Sequence, residues 1–292
     1  MSLIDVVVVS YNSREHLRDA VAPLSRVSDF HVVVVDSASS DGSLESVSDL
    51  PLSTIGLEVN RGFGHACNVG WRAGRGEFVL FLNPDARIDE ASLRRLAAVG
   101  GEEGVGAVAP RIVDTDGALD YSLRRFPRLR STYAQAFFLH RLAPRATWTD
   151  EVERDARAYE APATADWVSG ACVLVPRAVL ERLDGFDEGF FLYCEDIDLC
   201  RRIRDLGLAV RFEPGATAVH EGGASMPRAA LLPVLAASRV RYARKHQPVH
   251  VAVLERAGVA AGALTHAVVT RGGKDARRGH LQAFARAFAR AR

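Results

Sequence analysis

Four short polar clusters carry the residue types that could do chemistry. Asn83-Pro84-Asp85 closes the apolar run Phe78–Leu82. A carboxylate at the end of a buried strand costs free energy unless a partner compensates it. A divalent cation bridging Asp85 to a phosphorylated ligand would do so; a turn in which Asn and Asp cap the next helix is the plainer alternative. Glu195-Asp196-Ile197-Asp198 gathers three carboxylates. Helix N-termini favour negative charge, so capping would explain them. The stretch in front, however, holds Phe186, Phe190, Phe191, Leu192 and Tyr193. A carboxylate set against such a wall has its pKa raised toward that of a general base. Asp36, after His31–Val35, stands where nucleotide folds place an acid that reads a ribose or base edge. His220, ahead of Glu221-Gly222-Gly223, is either a packed histidine or a partner of Asp85 in holding Mg2+ or Mn2+.

The elements that must position these groups alternate. Leu3–Ser10 and His31–Val35 are β-branched runs, as expected of strands covered on both faces, and Ser13–Leu24 between them sets Leu17, Ala20, Val21 and Leu24 on one helical stripe. The polar cluster Asp36–Ser43 predicts a turn into a capped helix. Leu52–Glu58, Glu77–Leu82, Gly104–Ile112, Trp167–Val175 and Ala209–Glu213 read as further strands. Helices are predicted through Ala66–Ala73, Thr132–Leu142 (within a basic, aromatic, mobile stretch, 124–145), Val179–Leu183 and Cys194–Leu206. Alternation of this kind predicts an α/β fold, a Rossmann-like, mostly parallel central sheet flanked by helices, with ligands bound off the C-terminal strand ends. Ser10–Asn12, Asp36–Asp41 and Asn83–Asp85 all fall at such ends. The first strand is followed by Ser10-Tyr11-Asn12 and not by GxGxxG, and no GxxxxGK[ST] occurs, which disfavours a dinucleotide dehydrogenase and a P-loop enzyme. A bound nucleotide would need a metal at Asp85 to hold its phosphates.

The 292 residues are 48% apolar and 25% charged, an ordinary globular mixture with ample material for a core. Net charge is +1, and nothing global points to nucleic acid. The charge is unevenly spread: residues 1–225 hold 24 basic against 34 acidic groups, residues 226–292 hold 13 against 2. Past Pro227 the texture turns to Ala-, Arg- and Leu-rich helices, and a boundary is expected there. The four cysteines form no CxxC pair, as expected of reduced, packed thiols in a cytoplasmic protein. The N-terminus shows no signal-peptide pattern. Val249–Val269 is interrupted by His250, Glu255, Arg256 and His266 and is not expected to span a membrane.

Taken in order, VVVVSYNS (6–13), VVVVDSASSDGS (32–43), NRGFGHACNVG (60–70), FVLFLNPDA (78–86), the run 168–207 containing YCEDIDLC, and VHEGGAS (219–225) resemble the inverting glycosyltransferases of family 2, which have the GT-A fold. The closest likeness is to bacterial rhamnosyltransferases of cell-wall and O-antigen type, and it runs over about residues 3–246. The resemblance implies a catalytic domain over 1–226, divided into a nucleotide-sugar half (1–112) and an acceptor and catalytic half (113–226), with a basic helical extension over 227–292. It implies that Ser10, Tyr11, Asn12, Asp36 and Ser39 line the base and ribose pocket, and that Asn60, Gly62 and Asn68 lie near the diphosphate and donor sugar. Gly170 and Ala171 fall where the family approaches sugar and acceptor. Asp85 matches the last acid of the DxD metal motif, whose first position is Asn83 here. The resemblance further implies His220 as an additional metal ligand and Asp196 as the catalytic base.

The donor implied is dTDP-L-rhamnose; the alternatives are a family 2 transferase using a UDP-linked sugar and a non-catalytic nucleotide-sugar-binding scaffold subunit. The acceptor implied is a glycan or a polyprenyl-diphosphate-linked intermediate. In the tail, Leu231, Leu232, Leu235, Val240 and Tyr242 sit among Arg239, Arg241, Arg244 and Lys245, and Phe284 and Phe288 sit among Arg286, Arg290 and Arg292. Basic amphipathic helices of this kind are expected to lie on an anionic membrane surface, at the inner face of the cell membrane, or else to pack back on the body.

Overall fold

The computed structural model describes residues 4–143, 146–222 and 228–289, without the side chain of Arg228. Gly223, Ala224 and Ser225 of the last motif, and Arg290 and Arg292 of the tail, lie outside the described residues. The elements in chain order are β1 (Ile4–Ser10), α1 (Arg14–Ser25), β2 (Phe30–Asp36), β3 (Ser53–Gly56), α2 (Phe63–Ala73), β4 (Phe78–Leu82), β5 (Ala86–Ile88), α3 (Glu90–Gly100), β6 (Val105–Val113), β7 (Leu119–Asp120), β8 (Leu123–Arg124), α4 (Leu129–Ala136) and α5 (Leu139–Leu142). They continue with β9 (Ala163–Ala165), β10 (Trp167–Val168), β11 (Cys172–Pro176), α6 (Arg177–Leu183), α7 (Glu195–Asp205), β12 (Ala209–His220), α8 (Arg228–His246), α9 (Val249–Val269) and α10 (Gly273–Phe288). Two compact units result: Met1–Arg124, Asp155–Gly189 and Glu195–Ser225 form one, and Arg125–Arg154, Phe190–Cys194 and Met226–Arg292 the other.

The first unit is built on a sheet of order β3-β2-β1-β4-β11-β6-β12-β5, with β7 beside β6 and β9 beside β12. β1 is buried at every position, which explains its unbroken Ile-Asp-Val-Val-Val-Val-Ser run. Parallel pairing of β1 with β2 sets Ser10 opposite Asp36, and pairing with β4 sets Val8 opposite Leu82, so the polar strand ends line up on one edge. The one charge inside β1, Asp5, is compensated at the other end of the sheet. Its carboxylate accepts from the Gly76 amide at 2.7 Å, meets His31 Nδ1 at 3.1 Å and pairs with Arg177. Asp5 has no exposure at all, and an unpaired charge there would be heavily penalised.

Several local expectations are corrected. The helix expected after Asp36–Ser43 is a single 3-10 turn, Glu45–Val47; Asp41 instead accepts from the Arg14 amide at the start of α1 and from Ser43. The segment Trp167–Val175 is two strands: β10 pairs with β8 in a separate ribbon, and only β11 joins the main sheet. β12 continues well past Glu213, through a register irregularity between Glu213 and Thr217, and ends at His220. Thr132–Leu142 is broken at Phe138, whose φ of 59° is left-handed. All four cysteines are free and buried.

The second unit packs α4, α8, α9 and α10 through small residues: Ala236, Ala263 and Ala283 form one cluster and Val240, Ala260 and Ala287 another, with Phe284 laid against both. Its polar centre is Arg239, which grips Glu151 with two hydrogen bonds of 2.6 and 2.7 Å and donates to Thr132 at 3.1 Å. Thr132 in turn donates to Glu255 at 2.6 Å.

Helix α2 lies tightly on the sheet at Gly70, where an added Cβ would stand 2.4 Å from Val7 Cγ1 and 3.1 Å from Val35 Cγ2. Gly70→Ala is expected to cost about 1–3 kcal/mol of stability by overpacking, read from the urea midpoint at unchanged m.

Candidate active site

Two loops converge on the edge formed by β1 and β2. Asp36 is buried, and both its oxygens are held by Ser39, the amide at 2.8 Å and the hydroxyl at 2.6 Å. The Ser39 hydroxyl also accepts from the Asn12 amide at 2.8 Å, and the Asn12 side chain accepts from the Ser40 amide at 2.9 Å. Asn12 and Ala38 both have left-handed φ, 50° and 62°. Strained positions of this kind persist where the surrounding structure fixes them, and they concentrate at ligand-binding sites. Between these loops the hydroxyls of Ser10 and Ser37 are buried and have no partner among the described residues. Tyr11 follows at the mouth, half-buried. The expected base and ribose residues therefore stand together, and the sequence reading missed Ser37.

Asn60 and Gly62 begin α2: the Gly62 amide donates to Asn60 Oδ1 at 2.9 Å, and Gly62 has a φ of 101°. Asn68 acts differently from a free sugar-binding amide. Its Nδ2 donates to Phe186 O and Glu188 Oε1, each at 2.9 Å, while its Oδ1 accepts from the Phe186 amide at 2.9 Å and from Trp71 Nε1 at 3.1 Å. Its hydrogen-bonding capacity is spent on the 185–188 turn, where Gly185 has a φ of 73° and a Cβ would fall 2.2 Å from Asn68 Oδ1.

The third strand end supplies the candidate metal ligands. β12 pairs antiparallel with β5, His220 opposite Ala86, and this sets His220 Nε2 3.2 Å from Asp85 Oδ1. Asn83 Nδ2 lies 3.5 Å from the same nitrogen. The hydrogen bond to Asp85 raises the His220 pKa, with burial opposing. One carboxylate oxygen and one imidazole nitrogen suit Mg2+ or Mn2+, which complete their shells with phosphate oxygens and water. Among the described residues no cluster of three or more His, Cys, Asp or Glu side chains occurs, so this pair is not a closed cage. A diphosphate would have to supply the remaining ligands, and the donor set fits a cation shared with substrate.

The carboxylates of α7 have three different environments. Asp198 is fully buried and bound by Arg202, which also donates to the Leu183 and Gly185 carbonyls, fastening α7 to the turn. Glu195 is buried with Oε2 unpartnered; burial and then the Asp196 charge push its pKa well up. Asp196 is half-buried and accepts from the Gly170 amide at 3.2 Å. Burial raises its pKa too, opposed by the Gly170 and Ile197 amides and by the Arg124 charge. Ala171, next to Gly170, accepts from the Asn83 amide at 2.9 Å. A backbone path of a few residues thus ties the base candidate to the metal candidates.

Residues 5–156 match the model of glycosyl transferase family 2. N-acetylglucosaminyl-diphospho-decaprenol L-rhamnosyltransferase of Mycobacterium tuberculosis is 31% identical over 242 residues, 77% of this chain and 78% of that protein. The chain belongs to glycosyl transferase family 2. Rhamnosyltransferase WbbL of Escherichia coli is 26% identical to this glycosyltransferase over 235 residues, 75% of this chain and 83% of that one. Among solved structures, the mannosyltransferase PcManGT from Pyrobaculum calidifontis in complex with GDP-Man and Mn2+ is similar with a TM-score of 0.58 at 22% identity, covering 94% of this chain and 76% of that one. That likeness concerns the fold, and with the central sheet it establishes the GT-A architecture.

Arg124 is a second residue of this glycosyltransferase, after Ser37, that the sequence did not single out. It pairs across the β8–β10 ribbon with Trp167, and its guanidinium lies 5.3 Å from the Trp167 ring centroid. It has no carboxylate at ion-pair distance among the described residues, and its buried Nε has no partner. A cation so placed favours the ionised form of Asp196. A carboxylate acting as base must be deprotonated, so with Asp196 in that role activity would fall as pH drops through its raised pKa. Arg124→Gln is expected to move the acid limb of the pH–kcat/KM profile to higher pH, with transfer recovering above it; an unmoved limb with a uniform loss would contradict this.

Proposed function

We propose that this glycosyltransferase moves L-rhamnose from dTDP-L-rhamnose to a hydroxyl of a glycan or polyprenyl-diphosphate-linked acceptor in cell-envelope polysaccharide synthesis. The observation that carries the reading is Asp196, an acid of raised pKa held by Gly170 and connected through Ala171 and Asn83 to the Asp85–His220 pair. The two relatives named above, each similar over about three quarters of this chain, support the sugar. Catalysis is assigned to 1–226, with the donor on 1–112 and the acceptor and base on 113–226; 227–292 is the basic extension. The enzyme works in the cytoplasm, peripheral on the inner face of the membrane where a lipid-carried acceptor is presented.

In this mechanism Ser10, Tyr11, Asn12, Asp36 and Ser39 seat the nucleoside, and the Asn60–Gly62 turn lies beside the diphosphate and sugar. Asp196 accepts the proton of the acceptor hydroxyl as that oxygen attacks the anomeric carbon, and the nucleoside diphosphate departs from the opposite face. Its raised pKa makes Asp196 a better proton acceptor near neutral pH than an ordinary carboxylate. Mg2+ or Mn2+ held by Asp85 and His220 would supply charge neutralisation for the departing diphosphate. One base suffices, because a diphosphate needs electrostatic stabilisation and not protonation, unlike the two-carboxylate chemistry of a glycosidase.

Asp196→Asn is expected to abolish transfer while leaving dTDP affinity unchanged by calorimetry; retained transfer would remove Asp196 as the base. In thermal-shift series, dTDP with Mn2+ is expected to stabilise the protein more than UDP, GDP, CDP or NAD, adding about 2.7 kcal/mol over the unliganded protein at a hundredfold excess over Kd. Asp85→Asn and His220→Ala are expected to erase the Mn2+-dependent part of that shift. A UDP preference would change the sugar and keep the enzyme.

A further inference from the structure

The outer face of α9 is built unlike the surface of an ordinary helical layer. Its buried side is made of Ala252, Glu255, Gly258, Ala260, Ala263 and Ala267, packed within the second unit. Its outer side presents Val249 at 82% exposure, Val253 at 60%, Leu254 at 47%, Leu264 at 41% and Val268 at 80%, with Ala257 exposed among them. The two charged side chains of the helix are both turned away from this stripe. Glu255 is buried against Thr132, and Arg256 lies over the Phe288 ring and donates to the Phe288 carbonyl at 2.9 Å. A helix of 21 residues, about 31 Å long, therefore offers a face without formal charge. A surface helix of a soluble protein ordinarily carries its charges opposite its core stripe, and exposed aliphatic rows mark interaction sites.

The chain on either side of α9 is basic. Arg244 is exposed at the end of α8, just before α9 begins, and Arg271, Lys274, Arg277 and Arg278 are exposed just after it ends, with Asp275 as the one exposed acid in that stretch. By length and composition α9 is apolar enough to cross a membrane. It is nevertheless fixed along one side to α4, α8 and α10, and Glu255 sits in the middle of that side, so the helix is suited to lie in an interface and not to cross it.

We propose that the Val253–Leu264–Val268 face of α9 is the membrane-contacting surface of this protein, inserting its aliphatic row among the acyl chains of an anionic bilayer while the basic groups that flank the helix meet lipid phosphates. The choice of a bilayer as partner rests on the reading of a lipid-carried acceptor. It names a different element from the expectation placed on the tail, where Phe284 is packed against the Ala236 and Ala260 clusters and Phe288, half-exposed, lies under the Arg256 guanidinium.

The test uses the full-length protein with vesicles of phosphatidylcholine alone or mixed with phosphatidylglycerol, and the double variant Val253→Asp/Leu264→Asp, whose half-exposed positions leave the packed side intact. Val59→Asp, on an exposed residue of the first unit, serves as control. Wild type and the control are expected to sediment with the mixed vesicles and the double variant to bind about tenfold more weakly or not at all, with melting temperature and transfer to a water-soluble acceptor unchanged in all three. Equal vesicle binding by wild type and the double variant overturns the proposal, as does binding that ignores phosphatidylglycerol. A wild-type dimer in sedimentation that the double variant abolishes, without vesicle binding, overturns it in favour of a second copy of the chain. Because transfer to the soluble acceptor is read separately, loss of the surface and loss of the glycosyltransferase reading are told apart.

Discussion

The pairing of β11 against β4 is the constraint on which the active site depends. It is antiparallel in a sheet whose other half is parallel, and its register sets Cys172 opposite Leu82. From that one alignment, Ala171 O receives the Asn83 amide and Gly170 turns its own amide toward Asp196. A slip of one residue would reverse which side chains face the core and would separate Asp196 from Asp85. The reversal of strand direction also lets β12, returning beside β6, reach the edge where β5 waits, and so bring His220 to Asp85. The Ser10–Asp36 edge, the Asp85–His220 pair and Asp196 are positioned by strand register, while the loops supply the groups.

Electrostatics then divides the work among neighbours in sequence. Asp198 is paired and fastens a helix, Glu195 is buried without a full set of partners, and Asp196 alone is half-open with a backbone donor and a nearby cation. Three acids within four residues of one helix start thus differ in their environments, not in their chemistry. Tyr193 and Cys194, immediately before α7, both have left-handed φ, 67° and 66°, a strain typical of chain that must deliver a side chain to a reacting centre.

Much of this was legible in the sequence because buried parallel strands write themselves as β-branched runs ending in polar residues. Leu17, Ala20, Val21 and Leu24 face the core as their spacing requires, and Ser10, Asp36 and Asn83 stand at strand ends. What was not legible depends on partners distant in the chain. Trp167–Val175 looked like one strand because apolarity says nothing of which sheet a residue joins, and the break at Ser169–Ala171 is set by β8 on one side and β4 on the other. Arg124 lay in a basic stretch with no pattern of its own, and its meaning comes from the cross-strand Trp167. Asn68 carried a recognisable motif position, but its saturation by the 185–188 turn could be seen only once residues 118 apart met. The exposed face of α9 was hidden for a related reason: periodicity in an Ala- and Val-rich helix does not tell which stripe is covered.

In the proposed mechanism a single displacement driven by one base, Asp196, forms no covalent sugar–protein intermediate. The measurement that tests it most directly is the anomeric configuration of the glycoside formed from dTDP-L-rhamnose, read by one-bond carbon–proton coupling in the product. The account predicts inversion relative to the donor. Retention of configuration would contradict it, because it would require a second displacement that the arrangement around Asp196 does not provide.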